Sequence, residues 1–334
     1  MRDALESITA SYLGKVVLVT GAAGAIGSNL CRQLAQEGAQ VLALDDLSAS
    51  KRWNVPNLAN VLFIQGDILD ETQLNLVFVQ RPQIVFHLAG FFANQNSIEH
   101  PDRDLMVNGM GTLRMLTLCE RFGVERFVYA SSSAAYNGDS LLPYREQNGP
   151  IALTSPYQIT KMLGERYCNF FASYYGLKVV KARFFNSYGP GEIPGKYRNV
   201  IPNFIFWALK GEPLPITGTG EETRDFTYVL DIVQGLLAMG MLEPLVGLSV
   251  NLGSGRETTI GALAEMINNE IGNKAGTCHL PRRRWDSQLR RQAPTTRAEE
   301  LISPMPRTLL QSGLVETIRW FREHWDQIQA DARF

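Results

Sequence analysis

The chain has 334 residues, 45% of them hydrophobic, and a formal net charge of −1. That length can bury a sizeable core and predicts one large domain with a smaller one. The near-neutral balance leaves no global basic field for nucleic acid or an anionic membrane, and no apolar run reaches spanning length. Residues 1–14 are mixed and charged and lack a signal-peptide core, so a short lead-in is expected there. Cys31, Cys119, Cys168 and Cys278 lie far apart without metal or redox spacing. They read as buried free thiols of a reducing, cytoplasmic compartment, and no metal site is expected.

Residues 15–20 (KVVLVT) form a β-branched run suited to a strand buried on both faces. The run enters Gly21-Ala22-Ala23-Gly24-Ala25-Ile26-Gly27, and a helical pattern with Leu30, Leu34 and Ala35 on one face follows. Strand, glycine turn and helix together predict a dinucleotide site at Gly21, Gly24, Ala25, Ile26 and Gly27. Glycines permit a tight turn and close backbone approach, and the helix start offers free N–H groups to a pyrophosphate. Residues 40–44 (QVLAL) read as a second strand ending in Asp45-Asp46, where an acid accepts from a ribose 2′-hydroxyl and repels a 2′-phosphate. That favours NAD over NADP, although Lys51 and Arg52 lie just downstream. Residues 61–65 give a third strand before Gly66-Asp67-Ile68; Asp67 either holds the adenine edge or caps the next helix.

A fourth strand spans residues 83–88 and ends in Ala89-Gly90, small enough for a flat cofactor to lie close. His87, inside that apolar strand, reads as a satisfied core histidine. Residues 91–100 lack periodicity and predict a loop near the nicotinamide. A long helical pattern covers residues 102–122 and contains Asn108. Residues 126–130 (RFVYA) give a fifth strand that delivers Ser131-Ser132-Ser133 to the strand end, where α/β proteins bind ligands. One helix later comes Ser155-Pro156-Tyr157-Gln158-Ile159-Thr160-Lys161. Ser155 suits a cap and Pro156 a first turn, and Tyr157 and Lys161 then project from one face. An ammonium beside a phenol favours phenolate, which suits a proton shuttle near neutral pH.

The conjunction resembles the extended short-chain dehydrogenase/reductase family, and within it the nucleotide-sugar enzymes typified by UDP-glucose 4-epimerase. The resemblance runs from about residue 16 to 325. It implies an α/β fold: a Rossmann-type doubly wound parallel sheet with a smaller, interleaved α/β C-terminal substrate lobe. It implies NAD contacts at Gly21, Gly24, Gly27, the Asp45-Asp46 turn, Asp67-Ile68, Leu88-Ala89-Gly90 and Asn108. Ser132, Tyr157 and Lys161 match the catalytic set, with Ser133 beside it as the alternative hydroxyl. The segment 183–190 (RFFNSYGP) implies substrate contact by Asn186, and the helix start Asn199-Val200 resembles the substrate side. Arg224, in Thr223-Arg224-Asp225-Phe226, and Arg283, in Pro281-Arg282-Arg283-Arg284-Trp285-Asp286, match the ligands of a nucleotide diphosphate. Arg284-Trp285 replaces the usual Pro-Gly of that loop.

Related 4,6-dehydratases resemble Thr-Asp-Glu where this chain has Ser132-Ser133-Ala134, and related decarboxylases place a Glu at Ala134. Neither carboxylate is present, which leaves oxidation and re-reduction at C4, the requirement of an epimerase. The position near Phe92 lacks the Lys of UDP-glucose 4-epimerase. A dehydratase, decarboxylase or net reductase is the alternative, and a non-catalytic NAD-binding module a further one.

The cofactor domain is expected over residues 14–188 and the substrate lobe over 189–330, with 225–250 returning to the first. In the lobe, helical patterns near 200–210, 230–240, 260–271 and 311–329 alternate with short strands near Phe226 and 248–252. Met106, Met110, Met115, Phe170 and Phe171 lie beyond one face of the helices at 102–122 and 156–175. They predict a homodimer through a four-helix interface, as in relatives. The expected partner molecule is a nucleotide sugar, most simply a UDP-sugar.

Overall fold

A computed structural model describes residues 10–136, 143–146, 153–283, 288–302 and 307–334. In chain order the elements are β1 (Val16–Thr20), α1 (Ala25–Gln36), β2 (Gln40–Asp45), β3 (Val61–Gln65), α2 (Glu71–Phe78), β4 (Ile84–His87), α3 (Asn94–Glu99) and α4 (Pro101–Asp104). A π-helical stretch, Leu105–Gly111, runs into α5 (Thr112–Arg121), followed by β5 (Arg126–Ser132), α6 (Pro156–Tyr175), β6 (Val179–Phe184), β7 (Ser187–Tyr188) and α7 (Val200–Leu209). Then come β8 (Leu214–Thr217), β9 (Thr223–Asp225), β10 (Thr227–Tyr228), α8 (Val229–Met241), β11 (Ser249–Leu252), β12 (Glu257–Thr259), α9 (Ile260–Ile271), β13 (Thr277–Leu280), α10 (Thr296–Leu301), α11 (Leu310–Glu323) and α12 (Trp325–Asp331).

Seven strands form one parallel sheet in the order β3-β2-β1-β4-β5-β6-β11. Helices cover both faces, so the strands are apolar throughout rather than alternating. One core packs α1 and α8 on the sheet through Leu30, Leu34, Ile232, Val233 and Leu236. The other packs α2, α5 and α6 through Leu74, Phe78, Leu116, Cys119 and Cys168. The sheet is the Rossmann-like α/β arrangement expected. Its order reverses between β1 and β4, and ligands of such sheets bind in the crevice beyond those strand ends.

A third core belongs to the chain's later part. Phe204, Ile205, Leu263, Ile267, Leu314, Ile318 and Phe321 bring α7, α9 and α11 together. Two-stranded pairs β7-β10, β9-β12 and β8-β13 trim it. β11 leaves this region and closes the main sheet against β6.

Several local expectations need correction. The stretch 91–100 is not all loop: α3 occupies Asn94–Glu99. It starts where Ala93 adopts φ 86° and is held to α6 by the Ser155 hydroxyl, which donates to Asn94 Oδ1 at 2.6 Å. The long helix over 102–122 includes a π stretch, on which Leu105 is exposed. The single helix expected at 311–329 is broken at His324. Met115 and Phe171 pack inward, as does every cysteine except the exposed Cys278. Among the described residues, no helix is long and apolar enough to cross a membrane and no cluster of His, Cys, Asp or Glu suits a metal.

Candidate active site

The glycine turn is shaped by contacts that exclude side chains. Gly21 has φ +69°, and a Cβ on it would lie 2.7 Å from the Ala89 backbone nitrogen. The ends of β1 and β4 therefore touch through bare backbone. A Cβ on Gly27 would meet the Gly21 carbonyl at 2.1 Å. Gly24 is the N-cap of α1 and offers no side-chain cap, so the first N–H groups of the helix remain open to an anion. This cradle fits the pyrophosphate of a dinucleotide.

Asp45 holds the turn from β2. Its carboxylate accepts from Ala23 N at 2.9 Å, Leu47 N at 2.8 Å and Ser50 Oγ at 3.1 Å. Burial raises its pKa while those donors oppose the rise. Asp46 is exposed and accepts from the backbone and hydroxyl of Ser48. The helix-cap reading of Asp67 is corrected: Asp70 caps α2, and Asp67 accepts from Leu69 N at 2.8 Å in a local turn. Ile68 is buried and fills the space beside Gly111, whose Cβ would meet it at 2.5 Å.

Beyond β4, the chain at Leu88, Ala89 and Gly90 passes beside the catalytic helix. A Cβ on Gly90 would sit 3.1 Å from both Lys161 Nζ and Asn108 Oδ1. Asn108 itself is buried with its amide committed. It accepts from Phe91 N at 2.8 Å and donates to the Phe91 carbonyl, Asp104 and Thr160. It therefore shapes the backbone beside the cofactor cleft rather than presenting a free group. His87 is a satisfied core histidine: its ring nitrogens lie 2.8 Å from Thr20 Oγ1 and 3.2 Å from Thr112 Oγ1, and burial lowers its pKa to about 3.

Helix α6 begins with a capping box. Ser155 Oγ accepts from Gln158 N, and the Gln158 side chain accepts from Ser155 N. That start, with Pro156 in the first turn, fixes the phase that turns Tyr157 and Lys161 toward β5. Ser132 ends β5, where its Oγ accepts from Ala134 N at 3.1 Å, and it is the serine whose hydroxyl eases ionisation of the Tyr157 phenol. Lys161 donates to the Ala130 carbonyl at 3.0 Å, with Nζ 5.7 Å from the Tyr157 ring centre. Phe92 meets the same ring edge-on.

The electrostatics differ from the sequence expectation. Burial pushes the Tyr157 phenol up to about 12; the Ser132 hydrogen bond opposes this, and Arg291 also lowers it. The ammonium expected to lower it is instead discharged more easily itself: burial lowers Lys161 to about 8, against the nearby Asp104. The reason is shared desolvation, which penalises both charged forms and which helical spacing cannot reveal.

Segment 190–199 lies over the cofactor turn as a strap. Asn29 Nδ2 donates to the Pro190 carbonyl at 2.9 Å, and Asn54 Nδ2 bridges the carbonyls of Ala23 and Gly191. Lys196 and Tyr197 both reach Glu99 on α3, at 2.9 and 2.6 Å. Arg198 donates to the Ala49 carbonyl. Asn199, the N-cap of α7, and Val200 are half-buried at the far end. Asn186 lies just before the strap with a buried Oδ1 that has no protein partner. Arg224 is buried on β9 and donates to the Thr223 carbonyl at 2.8 Å. Arg283 is exposed after β13, and Arg284, Trp285 and Asp286 lie outside the described residues.

Sequence reading missed a buried network behind the site. Glu165 on α6 grips Arg183 on β6 with two contacts of 2.7 Å and accepts from Ser131 Oγ at 2.6 Å. Arg183 also donates to Tyr136, whose hydroxyl donates to Asn251 on β11, at 2.7 Å each. It also missed Asp104, fully buried between Thr160 and Asn108. The charged residues inside apolar helices were the available signal.

Residues 17–253 match the model of the NAD dependent epimerase/dehydratase family. An epimerase structure from Methanothermobacter thermautotrophicus superposes with a TM-score of 0.98 at 50% identity, covering 99% of this chain and 98% of that one. A UDP-glucose 4-epimerase from Thermotoga maritima, solved with UDP-glucose, gives 0.88 at 33% identity, covering 93% and 99%. A UDP-glucuronic acid decarboxylase 1 from Xenopus tropicalis is 33% identical over 316 residues, covering 92% of this chain and 72% of the relative. The chain belongs to the NAD dependent epimerase/dehydratase family, as a nucleotide-sugar enzyme that uses NAD.

Proposed function

We propose that the protein is a nucleotide-sugar 4-epimerase working by transient oxidation at C4, with a UDP-sugar as substrate. The observation that carries this reading is the 132–134 turn. Ser132 ends β5 as the hydroxyl that eases ionisation of Tyr157, while the two following positions are Ser133 and Ala134, both buried. The set Ser132, Tyr157 and Lys161 is thus accompanied by no acid at either of those positions for dehydration, or at Ala134 for decarboxylation.

Bound NAD would supply the hydride acceptor and donor. Tyr157 takes the C4 hydroxyl proton and returns it once the hydride has been delivered to the opposite face. Ser132 donates to the same oxygen as charge develops. Lys161, anchored by the Ala130 carbonyl, would hold the nicotinamide ribose and, in its charged form, favours phenolate. Asn186, Asn199 with Val200, Arg224 and Arg283 hold the diphosphate, so the keto sugar turns without leaving. Guanidinium forks suit that task. The Thermotoga relative, solved with UDP-glucose, supports the choice of UDP.

We further propose a homodimer. Leu105, Met106, Met110, Ile159, Phe170 and Tyr174 form an exposed apolar face on the π stretch and α6. Burial of this face by a second copy is the arrangement expected of a helix pair that is apolar on two sides.

The test is product analysis by NMR with UDP-glucose, UDP-N-acetylglucosamine and UDP-glucuronate, each supplied with NAD. Conversion to the C4 epimer without net NADH is expected. A 4-keto, decarboxylated or reduced product would overturn the epimerase reading.

A further inference from the structure

Glu192 is a charged residue buried in the strap, 5% exposed, with a side-chain oxygen that meets no protein donor. Its neighbour Gly191 rests on the first turn of α1. A Cβ on that glycine would lie 3.0 Å from Ser28 Oγ and 3.3 Å from Ala25 Cα. On the other side, Glu192 Oε1 accepts from Asn199 Nδ2 at 2.9 Å, and that amide also donates to the Ser187 carbonyl at 3.3 Å. The residue therefore sits between the phosphate-binding end of α1 and the residue proposed to hold the substrate diphosphate. Arg198, on the same strap, is the charged group facing it among the described residues, and Arg198 also faces Asp45. The packed elements α1 and the 52–54 turn present neutral Ser28, Asn29 and Asn54. Lys51 and Arg52 turn away, to Asp331 and the Phe63 ring.

We propose that Glu192 is a positioning residue that fixes Asn199 at the start of α7 and turns its own second oxygen toward the substrate diphosphate, and that it does so as a neutral carboxylic acid. An ionised carboxylate here would leave one buried oxygen unpaired beside two anion sites. Protonation turns that oxygen into a donor able to reach a ligand oxygen, while Oε1 still accepts from Asn199. Burial already raises this carboxyl to about 7, and nearby phosphate charge acts in the same direction. The role toward the diphosphate rests on the nucleotide-sugar reading above; the protonation state does not.

Two readouts on the NAD-loaded protein decide it. Isotope-edited infrared difference spectra of wild type against Glu192→Gln at pH 6, where an ordinary glutamate is ionised, should show the carbonyl band of a protonated acid. A carboxylate band alone would overturn the proposal. UDP affinity, measured by calorimetry at the same pH, should fall about tenfold in Glu192→Ala, the worth of one lost buried hydrogen bond. It should stay within about twofold in Glu192→Gln, which is neutral and keeps the acceptor. Equal losses in both variants would overturn it. Wild type that binds no UDP would instead remove the nucleotide-sugar reading, with the infrared band still deciding the state of Glu192.

Discussion

The Tyr129 hydroxyl occupies the space where a side chain on residue 164 would begin. A Cβ at Gly164 would lie 2.1 Å from that oxygen. The glycine in the middle of α6 lets β5 approach closely, and the same tyrosine donates to the Lys161 carbonyl at 3.3 Å. Tyr129 is fully buried and has no room to retreat. Gly164→Ala should therefore lift α6 off the sheet and move Tyr157 and Lys161 from Ser132. We expect a stability loss of about 1–3 kcal/mol in denaturant unfolding and a fall in kcat, both partly restored by adding Tyr129→Phe.

Ser132, Tyr157 and Lys161 should separate by kind of loss. Tyr157→Phe removes the proton acceptor and should abolish turnover while leaving NAD binding near wild type. Ser132→Ala removes one donor to the reacting oxygen, and kcat should fall about 10²–10³-fold with a smaller change in KM. Ser133→Ala should leave kcat within a few-fold of wild type, since Ser132 is the serine whose hydroxyl eases ionisation of the phenol. Equal damage from both serine variants would sink the assignment. Steady-state kinetics with the sugar identified by NMR provides the check.

Lys161 carries a stability cost with a definite pH signature. Its folded pKa of about 8 lies below the ordinary lysine value of 10.5, so the folded state prefers the neutral amine. Between those two values the unfolded chain binds more protons, and stability rises with pH across that window. Replacing the ammonium with an apolar stem should stabilise most where the charge is fully present. Lys161→Met should raise Tm at pH 6 and have a smaller effect at pH 10, while removing activity. The full difference is about 3 kcal/mol at most, since one pKa unit corresponds to about 1.4 kcal/mol. Calorimetric scans at the two pH values decide it, and a larger gain at pH 10 would reverse the sign argued here.

Much of the site was legible because its signals are local. The β-branched run into Gly21, the Ser155-Pro156 cap and the four-residue spacing of Tyr157 and Lys161 are each contained in one short stretch. Their geometry follows from strand, turn and helix rules. Glu165 and Arg183, Glu192 and Asn199, or Asp104 and Thr160 meet only when separate elements pack, and no spacing announces them. The Tyr157 titration was misjudged for a related reason. Helical spacing places a cation near the phenol, but only the packed structure shows how far both are desolvated. Asp67 shows a smaller failure: two acids three residues apart compete to cap α2, and the chain uses Asp70.

The Glu165–Arg183 pair should behave as a buried ion pair that is costly to break and cheaper to replace. Both side chains are buried and the contact is bidentate. Burial raises the Glu165 pKa, but Arg183 and Ser131 outweigh it, and the net shift is downward. Its stabilisation is therefore present above the unfolded carboxyl pKa and is lost as pH falls through the folded one. Glu165→Gln strands the guanidinium and should cost about 3–5 kcal/mol, whereas pairing it with Arg183→Met should recover much of that. A double-mutant cycle in urea measures the coupling, and additive losses would contradict it.

The apolar face on the π stretch and α6 yields a prediction about assembly. Met106 and Phe170 are exposed by 42% and 48%, on two neighbouring helical segments that also present Leu105, Met110, Ile159 and Tyr174. A contiguous patch of this kind is unusual on a monomer, and two copies would bury it symmetrically. Wild type should sediment as a dimer at micromolar concentration. Phe170→Glu places one charge from each subunit in that face, where an unpaired buried carboxylate is costly. The variant should therefore sediment as a monomer with an unchanged circular dichroism spectrum, because Phe170 contributes little to the intramolecular cores on either side of the sheet. Wild type that stays monomeric, or a Phe170→Glu variant that stays dimeric, would move the interface elsewhere.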